Sequence, residues 1–168
     1  NSTIKSEFSE ESGAFVTIKI NGKLRGCIGF TDAIYPLYEA IINAAQSAAF
    51  SDPRFPRLGK DEFKQITIEV SVLTKPKVIN VRNPSDYIGM VHVGKDGLVV
   101  KGTFHTGLLL PQVAVEYGWD AKTFLEQTCI KAGMEANSWQ DYNECRIYKF
   151  QSHVFSEESP QGNVVKTM

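Results

Sequence analysis

The first strand-like stretch, Ala14 to Ile20, is β-branched and aromatic, a make-up that fits a pleated, half-buried surface. It runs into Asn21-Gly22, a pair that favours a two-residue hairpin because both turn positions need a positive φ. The returning strand is then Lys23 to Gly29, with Ile20 opposite Lys23, Ile18 opposite Arg25 and Val16 opposite Cys27. In that register Arg25 and Cys27 share one face.

Helical spacing takes over at Leu37, Ile41, Ala44, Ala45 and Ala48, up to Phe50. Pro36 suits the first turn, where its missing N–H is no loss. Pro53 and Pro56 end the helix in a stiff loop that carries Asp52, Arg54, Phe55 and Arg57. Ile66, Ile68, Val70 and Val72 alternate with Thr67, Glu69 and Ser71, a strand with one wet face. Val91 to Val93 and Leu98 to Lys101 flank Gly94-Lys-Asp-Gly97 as a second hairpin. A strand at Gly107 to Leu110 and a short helix from Pro111 to Tyr117 follow, then a helix from Ala121 to Ala132, capped by Asp120 and stopped by Gly133. Cys145 to Phe155 is the last strand, and the polar stretch Ser156 to Met168 is expected to fray. This mixture of adjacent strands and helices favours an α+β fold with an antiparallel sheet over a doubly wound one.

Composition narrows the partners. At 168 residues, 42% hydrophobic and 22% charged, the chain has the make-up of one globular domain with a real core. Its 18 basic and 19 acidic residues are interspersed to a net charge of -1, so no basic stripe awaits a polyanion, and nucleic acid ranks last among partners. Cys27, Cys129 and Cys145 are an odd set, far apart, each in an apolar segment, as expected of free thiols in a reducing, cytoplasmic compartment. Neither C-x-x-C nor H-x-x-x-H occurs, and His92, His105 and His153 are scattered, so no metal and no cofactor is expected. No apolar run nears the ~20 residues of a membrane span, and the polar start Asn1 to Glu11 is unlike a signal peptide. Asn1-Ser2-Thr3 fits a glycosylation acceptor, which has no meaning in a cytoplasmic chain.

The unusual residues gather around Arg25-Gly26-Cys27. A guanidinium near a thiol favours the thiolate, the nucleophilic form, and Gly26 and Gly29 leave room for a ligand or another backbone to come close. Equally, a free cysteine in a glycine-kinked strand can be a small buried hydrophobe. A nucleophile also needs a base; the histidines and Glu69 are the candidates, and spacing alone brings none of them to Cys27. Asp52 and Arg54 can pair with each other or bind substrate. Arg25, between apolar neighbours, needs a counter-charge, for which Asp52 and Glu69 are the candidates. Trp119 and Trp139 read as packing. Gly26-Cys-Ile-Gly29 and Gly94-Lys-Asp-Gly97 both fit G-x-x-G, but in strand or hairpin context and not between helices.

Leu24-Arg-Gly-Cys-Ile-Gly29, Ala48-Ala-Phe-Ser-Asp-Pro-Arg-Phe-Pro56, Glu69-Val-Ser-Val-Leu73, Leu108-Leu-Leu-Pro-Gln-Val113 and the run from Trp119 through Phe124-Leu125 to Cys129-Ile-Lys-Ala-Gly133 resemble the AMMECR family over about residues 14 to 155. The resemblance implies one α+β domain over 1–155 with two subdomains, the larger built on an antiparallel sheet and holding both chain ends, and a polar tail over 156–168. It places the hexapeptide near a cleft and implies no particular reaction. It points to a shared pathway with a Memo-type protein and a radical SAM enzyme. Members carry a helix ahead of the first hairpin, which this sequence is expected to lack.

Two functions follow. The first is an enzyme or enzyme partner in which Cys27, Arg25 and Glu69 are catalytic and Gly26, Gly29, Asp52 and Arg54 bind a small-molecule or protein-borne substrate. The second is a protein-binding or regulatory module in which Cys27 only packs.

Overall fold

The structure, a computed structural model, describes residues 2–168; the glycosylation triplet's Asn1 lies outside them. The fold is α+β, with antiparallel strand pairs throughout the registers of both units. The chain divides into two compact units, one of residues up to Thr74 together with His153–Met168, the other Lys75–Ser152.

The first unit holds both chain ends. Helix α1 (Ser2–Glu7) precedes the hairpin, so the expected lack of such a helix is corrected. Strands β1 (Ala14–Ile20) and β2 (Lys23–Phe30) meet across Asn21 and Gly22, both at positive φ (51° and 75°) as the turn requires. Helix α2 (Leu37–Phe50) follows, with Pro36 extended at its N-cap, one residue before the helix. Ala40, Ala44 and Ala48 recur at a four-residue spacing and are buried, so the small face of α2 packs closely on the hairpin, with Ala48 clustered against Ile18. Strand β3 (Ile66–Leu73) pairs with β1, giving the order β2-β1-β3, with β2 outermost. Ser71, expected on the wet face of β3, is buried. The last strand β7 (Cys145–Glu157) belongs to this unit from His153. The tail does not fray: it turns back as β8 (Val164–Lys166), which pairs with Phe155–Glu157.

In the second unit, β4 (Lys77–Val78), β5 (Asp96–Gly102), β6 (Thr106–Leu109) and β7 up to Ser152 form the sheet. The expected hairpin around Gly94–Gly97 is absent. Helix α3 (Tyr87–Met90) ends at Val91, and the Asp96 carboxylate accepts the His92 N–H at 2.9 Å, curling 92–96 into a turn. The hairpin lies later, between β5 and β6. Helix α4 (Pro111–Glu116) and helix α5 (Ala121–Lys131) stand where the pattern put them. Asp120 accepts from Thr123 N–H at 2.7 Å to cap α5. Gly133, at φ 77°, closes it, with Gly133 N–H bonded to Ile130 O and Met134 N–H to Cys129 O. Phe124, Leu125, Leu98, Val100, Trp139 and Ile147 fill the core.

Candidate functional site

The site is built on a fault in the hairpin. Ile20 pairs with Lys23 as the turn dictates, and Lys19 with Leu24, but Ile18 pairs with Gly26. Arg25 is therefore one residue too many on β2, a β-bulge. Past it the register is shifted, and Cys27 faces Thr17 where Val16 was expected. The alternation that would have set Arg25 and Cys27 on one face is broken. Gly26 carries the reason: a β-carbon there would overlap the Ala48 carbonyl, so β2 and α2 approach at backbone distance. A glycine inside a strand is the sequence signal of a bulge, and of the two expected neighbours, a ligand or another backbone, it is a backbone that comes close here. At Gly29 a β-carbon would run into the Phe15 ring and the Ala14 carbonyl. At both glycines the vacated space is occupied by the protein itself.

Arg25 is paired, but with neither expected partner. Its Nε and Nη2 donate to Glu62 Oε1 and Oε2 at 2.8 and 2.9 Å, and its Nη1 donates to Pro56 O at 3.0 Å. Glu62 also accepts the Gly59 N–H at 2.8 Å. The Arg25 guanidinium and that N–H hold the Glu62 carboxyl below the usual carboxylate range. Glu62 lies 37 residues from Arg25 in sequence, in an acidic turn with no pattern of its own. No signal in the sequence could have found it.

Asp52 and Arg54 form a second fork. Asp52 is 4% exposed and accepts from Cys27 N–H (2.9 Å), Arg54 N–H (3.0 Å), Arg54 Nε (3.0 Å) and Arg54 Nη2 (2.8 Å). Arg54 hydrogen bonding, reinforced by the two backbone N–H groups, holds the Asp52 carboxyl far below the usual carboxylate range, against the opposing effect of burial. Arg54 Nη2 reaches on to the Cys27 carbonyl at 3.1 Å. Phe55 lies under both guanidiniums, 5.6 Å from Arg54 and 5.9 Å from Arg25. The loop from Asp52 to Glu62 is thus fastened to β2 at both Arg25 and Cys27.

Cys27 itself is half-buried, whereas Cys129 and Cys145 are buried. Its Sγ accepts from the Thr17 hydroxyl at 3.2 Å. Arg54 reaches this residue at its carbonyl, whereas the Arg25 guanidinium is turned to Glu62 and to the Pro56 carbonyl. Thr17 pairs with Cys27 on one side and Glu69 on the other, which sets the three in one row across three strands. Glu69 and Cys27 are then two strand spacings apart, roughly 10 Å. Glu69 accepts from Lys19 Nζ at 3.0 Å and from the Ser156 hydroxyl at 2.9 Å, both at Oε2. Sequence reasoning missed Thr17, Lys19 and Ser156; only the shifted register reveals the first of them.

The AMMECR1 family model matches residues 1–155. A protein of Methanothermobacter thermautotrophicus is 48% identical over 151 residues, covering 90% of this chain and 78% of its own length. One from Methanocaldococcus jannaschii is 44% identical over 161 residues, covering 95% of this chain and 80% of its own. Among solved structures, that of an uncharacterized protein from Pyrococcus horikoshii superposes with a TM-score of 0.82 at 44% identity, over 96% of this chain and 81% of the other. Among the described residues, no helix is long and apolar enough to cross a membrane.

Proposed function

The chain belongs to the AMMECR1 family, and on that premise we propose that it is an enzyme, or the partner of one, acting through the Cys27 thiol on a small-molecule or protein-borne substrate. The observation that carries this is the setting of the sulfur: half-buried, hydrogen-bonded by Thr17, on a residue whose carbonyl the Arg54 guanidinium holds. Cys27 is the nucleophile in this proposal, and Glu69, in the same cross-strand row, is the carboxylate a bound substrate would meet next. Arg25, spent on Glu62, acts as a positioning residue for the loop that carries Arg54. Asp52 holds Arg54 in place. A Memo-type protein or a radical SAM enzyme is the proposed partner class, on the strength of family resemblance alone.

A binding module is the second reading. It is favoured by the saturation of the neighbouring charges, since Asp52 and Arg25 already spend their hydrogen bonds inside the protein. Alkylation of the folded chain by iodoacetamide near neutral pH, followed by peptide mass spectrometry, separates the two. The enzyme reading expects Cys27 to label well ahead of Cys129 and Cys145, and Arg54→Ala to slow that labelling several-fold. If Cys27 labels no faster than the two buried thiols, the nucleophile is lost and the binding module takes its place.

A further inference from the structure

The second unit holds a cavity that the Cys27 site does not use. Its volume is about 320 Å³, and Ile79, Asn80, Val81, Tyr87, Tyr142 and Arg146 line it. Strand pairing gathers these residues. Strand β4 runs antiparallel to β7, and beyond its last pair, Val78 with Tyr148, the Ile79 N–H still bonds Ile147 O at 2.9 Å, which carries Asn80 alongside Arg146. The Tyr142 hydroxyl donates to Val81 O at 3.1 Å and fastens Tyr142 to the same segment.

The cavity has donors to spare. Tyr87 is 1% exposed, its ring 6.2 Å from Tyr142 and 6.5 Å from Trp139 between centroids, yet among the described residues its hydroxyl has no hydrogen-bond partner. Nor is that oxygen among the sealed unbonded atoms, which are Gln112 Oε1, Trp139 Nε1 and Ser152 Oγ, so it opens on the cavity. An unpartnered polar group on a buried side chain is what a ligand satisfies. The exposed Asn80 amide has no partner among the described residues either. Arg146 donates through Nη1 to Tyr142 O and, at 3.5 Å, to Cys145 O, and its guanidinium lies 5.9 Å from the Tyr142 ring centroid. These contacts hold the side chain but leave Nε and Nη2 without an acceptor, and the charge without a carboxylate, among the described residues. Arg25 shows what that edge of a guanidinium does in this protein. With Nη1 on Pro56 O, its Nε and Nη2 grip both oxygens of Glu62 at 2.8 and 2.9 Å. Arg146 has the same disposition with the acid missing.

We propose that this cavity binds a small molecule through its carboxylate, which takes the Nε–Nη2 edge of Arg146 as a fork, with the Tyr87 hydroxyl and the Asn80 amide as further donors. Arg146 is the one cation among the residues that line the cavity. A single guanidinium balances a single carboxylate, whereas a phosphate dianion would keep a charge unmatched. The carbon body of the ligand lies against Ile79, Val81 and the Tyr142 ring. The volume stands at the low end of the ~300–1,000 Å³ of small-molecule sites, so the ligand is compact.

The test follows the side-chain N–H resonances of the isotope-labelled full chain as benzoate is added at constant pH and ionic strength. Benzamide serves as the uncharged molecule of the same shape, and inorganic phosphate as the competing anion. Benzoate is expected to shift Arg146 Nε–H and the Asn80 amide to saturation, and benzamide to leave both in place. Arg54 Nε–H, engaged on Asp52, should not respond. Arg146→Lys keeps the charge but loses the fork, and should weaken benzoate about tenfold. Tyr87→Phe keeps the ring and should weaken it a few-fold. Equal shifts with benzoate and benzamide, shifts that never saturate, or unchanged affinity in Arg146→Lys would each overturn the fork. Phosphate binding more tightly than benzoate would overturn the choice of anion. If Tyr87→Phe does not fold, Arg146→Lys, at an exposed position, decides.

Discussion

The main-chain N–H of Cys27 donates to the carboxylate of Asp52 at 2.9 Å, across 25 residues of sequence. The bond places the loop after α2 against the residue at the centre of the family hexapeptide. Because Arg54 spans the same carboxylate and the Cys27 carbonyl, the loop, the strand and the half-exposed guanidinium are set by one buried acid.

Asp52→Asn should therefore be severe for an isosteric change. It removes the charge that Arg54 faces and puts an NH₂ donor where N–H donors now converge. Losing hydrogen bonds to a buried charged group costs about 2 to 3 kcal/mol, and the partial exposure of Arg54 argues for the lower end. Urea unfolding should show a lower midpoint at unchanged slope. A loss under about 0.5 kcal/mol, the size of an ordinary surface change, would contradict the arrangement.

Acid should act through the same group. The folded carboxyl of Asp52 is depressed relative to the unfolded one, so its contribution is fully present above the unfolded value of about 4. It declines as the pH falls below that towards the folded value. Stability measured from pH 7 downward should fall more steeply below about pH 4 in the native chain than in Asp52→Asn. Parallel curves for the two proteins would remove Asp52 from the acid response.

Gly26→Ala should be costly for a different reason. The added methyl meets the backbone carbonyl of Ala48, which cannot rotate away, and overpacking of this kind costs about 1 to 3 kcal/mol. Gly59→Ala is the control, because its β-carbon would make only an ordinary 3.5 Å contact with the Glu62 side chain. Chemical denaturation of the two variants should separate them clearly. Equal midpoints would mean that helix and strand are not in backbone contact.

The Arg25–Glu62 fork should be visible as local order. Arg25→Ala and Glu62→Ala are each expected to speed hydrogen exchange at the Gly59 amide, which Glu62 accepts at 2.8 Å, and the double variant should be no faster than the worse single one. Exchange at Thr123, bonded to Asp120 at the cap of α5, should stay unchanged. Additive effects at Gly59 would mean that the two side chains act separately.

Local chemistry was legible. The Asn21-Gly22 turn, the alanine face of α2, the Asp120 cap and the Gly133 stop each follow from a few neighbouring residues. What failed was set by contacts distant in sequence. The bulge at Arg25 depends on Ala48 standing against Gly26. The pairing of Arg25 was settled by where the loop brought Glu62, not by residue type, which had suggested Asp52 or Glu69. The segment Val91–Val93 has the apolar character of a strand, yet the Asp96 carboxylate captures the His92 N–H and turns the chain. The polar tail gave no apolar pattern, and its pairing along β7 is a backbone event that composition does not announce.

The outermost position of β2 has one more consequence. A strand at the margin of a sheet offers unpaired N–H and C=O groups to any extended segment from another molecule, and that is a route to aggregation. At Cys27 both groups are taken, the N–H by a carboxylate and the C=O by a guanidinium. Asp52 and Arg54 thus counterfeit the donors and acceptors of a neighbouring strand with side chains that cannot propagate. The sheet is terminated at Cys27, and a chain whose loop is displaced would expose an open template for edge-to-edge growth.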